Sequence, residues 1–106
     1  MKPQRNPAAT AGIVKLPYDH ARYFELDADT QVVALDRLSP TKPMPQHAPS
    51  VARARLRMEE AASGERPRRA PLRVRAENGR LLIVDGNATY GVAQMAGWPD
   101  VPVSID

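Results

Sequence analysis

The chain has no cysteine, and its 106 residues include one phenylalanine, one tryptophan and three tyrosines. Without cysteine there is neither a disulfide framework nor the usual structural zinc site, so any core must hold by packing alone. Five aromatic rings are poor material for stacking the successive bases of a single strand. No apolar run approaches the ~20 residues of a membrane span, so a membrane partner is not expected. The basic start, Met1-Lys2-Pro3-Gln4-Arg5, leads into no apolar stretch of the kind a signal peptide needs. The expected location is cytoplasmic, although secretion of an effector by a specialised route would leave no such mark.

What is present is arginine. Lysine is missing from residues 53–80, which carry Arg53, Arg55, Arg57, Arg66, Arg68, Arg69, Arg73, Arg75 and Arg80 against four glutamates, within a net charge of +3. Arginine is the better bidentate partner for phosphate, so one reading of this region is a face that meets nucleotide or nucleic-acid phosphates. The other is a solvated face of a helix and a strand, since charge alone argues for association and not for a particular activity.

Length allows one small domain. Residues 1–28 read as a flexible tail or packing arm and residues 29–106 as the domain, about 80 residues being sufficient for a core. In the arm, the apolar and aromatic residues Ile13, Val14, Leu16, Tyr18, Tyr23, Phe24 and Leu26 would pack on the domain or bind a protein partner. Residues 31–35 form a strand candidate. The loop 39–49, with four prolines, is expected to lack regular structure. Ser50 then caps a helix over 50–62, with Val51, Ala54, Met58 and Ala62 on one face and Gly64 as its stop. Residues 72–75 alternate as a half-buried strand, and Glu77-Asn78-Gly79 signals a hairpin into the run 81–84. A second helix over 87–96 is expected to show an apolar stripe of Ala88, Val92, Met95 and Ala96, ending at Gly97 with Trp98 folded back, before a last strand over 101–105. The fold class is α+β, a small mixed sheet with two main helices.

The candidate site is the junction of strand and helix at Asp85-Gly86-Asn87. Gly86 gives a backbone freedom that a side chain would remove. The N–H groups of Ala88, Thr89 and Tyr90 would face a phosphate above the turn, where hydrogen bonding and the helix dipole both favour an anion. On spacing alone, these residues are equally a good turn and helix cap. Asp85 is the candidate metal ligand or base, with Asp36, Glu59 or Glu60 as a second carboxylate that spacing does not select. Substituting Gly86 by valine is expected to remove phosphate binding and leave the fold intact.

Asp85-Gly86-Asn87, then Ala93, Ala96-Gly97-Trp98 and Val101-Pro102-Val103, resemble the ParB/sulfiredoxin superfamily. Residues 32–41 and 69–75 resemble its first and next strands more loosely. The resemblance implies a ParB/sulfiredoxin-like fold and a nucleotide, with Mg2+ and a nucleoside triphosphate as cofactors, bound at this turn. The family's basic pair is Ala88-Thr89 here, so Thr89 and Arg69 are the expected replacements for the phosphate-clamping arginine. Without cysteine, sulfiredoxin's own redox chemistry is excluded. The resemblance also implies that the loop after the first strand borders the pocket, which makes Lys42 a phosphate-neutralising candidate and His47 a proton shuttle. His20 lies outside the matched stretch.

Three functions follow as expectations. The first is nucleotide binding, with phosphoryl transfer or nucleotide hydrolysis by Asp85 and His47. The second is a nuclease-like toxin or effector domain, the third an inactive adaptor for nucleic acid or protein. Contact with nucleic acid through the arginine-rich region would be mostly electrostatic and would weaken steeply with salt.

Overall fold

The computed structural model describes residues 16–42 and 48–106. In chain order these form α1 (His20–Tyr23), β1 (Gln31–Ala34), a 3-10 turn (Leu35–Arg37), β2 (Leu38–Ser39), α2 (Ala48–Ala62), β3 (Leu72–Glu77), β4 (Arg80–Asp85), α3 (Asn87–Ala96) and β5 (Asp100–Ile105). The five strands make one sheet in the order β1-β5-β3-β4-β2. β1 with β5 and β3 with β4 run antiparallel, while β5 with β3 and β4 with β2 run parallel. The fold is therefore α+β with a mixed sheet.

Local chemistry explains most of these elements. Asn78 and Gly79 both take positive φ, 52° and 77°, the geometry of a two-residue turn whose twist matches a hairpin. The alternation of β3 places Leu72 and Val74 in the core and Arg73 and Arg75 outside. Leu81 and Ile83 of β4, Val33 of β1, and Val101 and Val103 of β5 join them in one apolar cluster with Val51, Ala54 and Met58 of α2. Met58 is completely buried, which contributes about 1.5–3 kcal/mol. Short β2 is held from the side by Arg80, whose guanidinium donates to Ser39 Oγ at 2.7 Å and to the carbonyls of Asp36 and Leu38, both at 3.1 Å.

Three sequence expectations are corrected here. Ser50 is not the cap of α2, because the helix already begins at Ala48. Pro49 fits its first turn, where the missing N–H has no intrahelical partner to lose. The loop after β1 is shorter than expected, since Ser39 pairs with Leu82 as part of β2. Residues 43–47 lie outside the described residues. The stripe of α3 takes in Thr89, Val92 and Ala93, with Ala88 and Ala96 packed against the core as expected, whereas Met95 is 63 % exposed. Small residues on that stripe bring the helix close to the sheet, and Met95 stands a quarter-turn or more away from it.

The segment before β1 enters the same core. Leu16, Tyr23 and Phe24 are buried, and the indole Nε1–H of Trp98 donates to the Leu16 carbonyl at 3.0 Å.

Candidate functional site

Between Arg73 and Val74 the register with β4 shifts, so Asp85 pairs with Arg73 and Ile83 with Val74, and Val84 is passed over. Such irregularities re-aim the end of a strand. Here the chain turns at Gly86, with φ 115° and ψ 17°, straight into α3. A Cβ at Gly86 would lie 2.7 Å from Leu72 Cγ. Gly86 is thus required twice, by its φ and by the close approach of β3. This corrects the expectation that valine there leaves the fold intact.

No side chain caps α3. The first turn's N–H groups have no intrahelical acceptor, except that Tyr90 N–H donates to the Gly86 carbonyl at 2.9 Å. Tyr90 is therefore withdrawn as a phosphate donor: its N–H closes the first turn, and its side chain is buried. Asn87 does not cap the helix either. Its amide reaches back 46 residues, Oδ1 accepting from Thr41 N–H at 2.8 Å and Nδ2 donating to Thr41 Oγ1 at 2.9 Å. Thr41 Oγ1 in turn donates to the Ile83 carbonyl at 2.9 Å. This clamp ties Thr41 to the start of α3, with Lys42 next to it in the chain.

The result is a cleft of about 230 Å³ lined by Thr41, Lys42, Ser50, Arg69, Asp85, Gly86, Asn87, Ala88 and Thr89. A second groove, about 330 Å³, shares Arg69, Asp85, Gly86 and Thr89 and continues along Arg66, Pro67 and Pro71. Lys42, Arg69, Asp85, Gly86, Asn87, Ala88 and Thr89 are thus brought together. His47 lies outside the described residues. Of the proposed second carboxylates, Asp36 sits in the 3-10 turn beyond β1, while Glu59 and Glu60 pair with Arg55 and Arg66. None of the three lines the cleft, and among the described residues no group of three or more acidic, histidine or cysteine side chains could hold a metal. Asp85 is the cleft's one carboxylate among the residues described as lining it.

Arg69 dominates the electrostatics. It is half-buried, and burial first, then the positive charge of Arg57, push its pKa below the usual arginine value; Asp85 opposes this and Arg66 adds to it. The guanidinium remains charged at neutral pH but is under-compensated, and among the described residues no carboxylate lies in salt-bridge contact with it. From the sequence, Arg57 and Arg66 belong only to the arginine-rich region, with no assigned place at the cleft. Arg57 sits on the solvent side of α2, and its approach to Arg69 depends on how α2 packs.

The chain is similar to a solved structure of sulfiredoxin from Arabidopsis thaliana, with 13% identity over 73% of this chain and 83% of that one, and a TM-score of 0.46. No family model and no curated protein matches the chain.

Proposed function

We propose that this domain binds a nucleotide through its phosphates, seated between the Thr41-Lys42 segment and the start of α3. The observation that carries the reading is Arg69, a half-buried guanidinium repelled by Arg57 and Arg66 and placed beside a helix start that no side chain caps. A phosphate there would neutralise Arg69 and Lys42 and accept from the free N–H groups of Ala88 and Thr89, with the helix dipole in its favour. Thr89, almost fully buried but lining both grooves, would lend its hydroxyl. Asp85, at the rim, would repel a bare phosphate. It suits Mg2+, which commonly takes one or two carboxylates together with phosphate oxygens and water. Lys42, Arg69 and Asp85 are the titratable groups described as lining the cleft, so the reading is binding, with no catalytic step assigned.

The test is the affinity of wild type and Arg69→Gln for ATP and for inorganic pyrophosphate by calorimetry. Loss of a charge-assisted pair should weaken both by roughly tenfold or more, with thermal stability little changed because, among the described residues, no carboxylate lies in salt-bridge contact with Arg69. Equal affinities would refute the proposal.

A further inference from the structure

We infer that Asp100, at the opposite end of the chain from the strap it holds, is a positioning residue for the phosphate cleft. It acts through the segment 16–26, which grips the backbone of Arg69. The inference rests on the phosphate-binding reading of the cleft.

Arg69 belongs to no strand or helix; it lies in the connection from α2 to β3. Both of its backbone polar groups are nevertheless paired with the strap. Its N–H donates to the Tyr23 carbonyl at 2.7 Å, and its carbonyl accepts from Glu25 N–H at 2.8 Å, giving a parallel bridge between Phe24 and Arg69. The strap therefore sets where the Arg69 side chain starts. Yet the strap contains one helical turn, His20–Tyr23, far too short to be stable by itself. Buried Tyr23 and Phe24 hold one end of it.

At the other end Trp98 Nε1–H donates to the Leu16 carbonyl at 3.0 Å and Tyr23 Oη–H to the Pro17 carbonyl at 2.8 Å, and Asp100 ties the turn between them. One carboxylate oxygen, Oδ1, accepts from Tyr18 Oη–H at 2.6 Å and pairs with His20 Nε2 at 2.7 Å. The His20 side chain is only 11% exposed and lies edge-on to Tyr18 and Trp98, with ring centroids 4.9 and 5.5 Å away. With Nε2 as the donor, Nδ1 is a bare acceptor, buried and unpaired, so Asp100 is the hydrogen-bond anchor of this ring. From His20 to Tyr23 is a single turn of α1, so the anchor and the grip on Arg69 are mechanically continuous. A binding group must be held within about 0.5 Å to keep its geometry, and a loosened strap would let the guanidinium leave the helix start.

Three variants test this: Asp100→Ala, Asp100→Asn and Tyr18→Phe. Because both bonds end on one oxygen, the asparagine amide oxygen can accept both, and the alanine can accept neither. The readouts are pyrophosphate affinity and amide hydrogen exchange. Asp100→Ala should bind roughly tenfold more weakly and Asp100→Asn within about twofold of wild type. Exchange should quicken at Arg69 and Glu25 in the alanine variant, with Val74 and Ile83 in the sheet still protected. Tyr18→Phe, altered at an exposed ring, should fall between. Wild-type affinity in Asp100→Ala despite a freed Arg69 amide would overturn the inference alone, and so would faster exchange throughout the sheet or equal weakening by alanine and asparagine. Absence of pyrophosphate binding in the wild-type protein would instead refute the cleft's function, and the inference with it.

Discussion

Gly86 carries the strictest demand of any single residue near the cleft. Its φ of 115° is one that side chains rarely adopt, and a Cβ would press on Leu72 Cγ at 2.7 Å, a fully buried side chain of β3. Strain of this kind costs about 1–3 kcal/mol at a single residue, before any repacking of Leu72. Gly86→Ala is accordingly expected to lower the urea midpoint by at least that equivalent. A midpoint within error of wild type would show that β3 and the turn are not tightly apposed. The same residue thus cannot serve as a clean probe of ligand binding, whereas Arg69 can, because its side chain has no carboxylate partner among the described residues to lose.

Among elements, α3 shows how far local patterning reaches. Its C-terminal stop is legible: Gly97 adopts φ 76°, and Trp98 N–H returns to the Ala93 carbonyl at 3.0 Å, the expected left-handed finish. The hairpin at Asn78-Gly79 is legible for the same reason, since positive φ at two successive residues is a local requirement. Its buried stripe is less so, because hydropathy favours Met95 while packing selects Thr89 and Ala93. The role of Asn87 is not legible at all. Asparagine next to a helix start reads as a cap, and its actual partner, Thr41, lies 46 residues away. Asn87→Ala would leave Thr41 N–H without its acceptor in a part-buried position, which costs about 1–3 kcal/mol. The expected outcome is a loss of stability in that range together with faster amide exchange at Thr41 and Lys42. Unaltered exchange there would mean that the loop is held by other contacts.

At the scale of the molecule, the strap and the sheet are coupled through Asp100. Burial would raise that carboxyl's pKa, but the hydrogen bonds from Tyr18 and His20 outweigh it and hold it below the ordinary carboxylate range. A depressed acid stabilises the fold above its unfolded pKa, about 4, and that contribution is lost as pH falls through the lower folded value. Tyr18 is shifted the other way, upward, first by its bond to Asp100. Its share is complete below the unfolded pKa, about 10, and is lost as pH rises through the folded value. Trp98, the chain's single tryptophan, bonds to Leu16 in the strap and reports on both events. Its fluorescence should change at both extremes of pH. The acid change should weaken in Asp100→Asn, and the alkaline one should weaken in Tyr18→Phe, where Tyr23 still faces Trp98. Identical profiles in all three proteins would contradict the coupling.

The proposed anion site joins Arg69 to the uncapped start of α3. The most direct test is a titration of the 15N-labelled protein with ATP, CTP, GTP and ADP, with and without Mg2+, following backbone amides and the Arg69 Nε–H resonance. Saturable shifts are expected at Arg69, Ala88, Thr89 and Lys42 with a common dissociation constant. A folded protein in which those resonances stay still at millimolar nucleotide, or move with different constants, would contradict it.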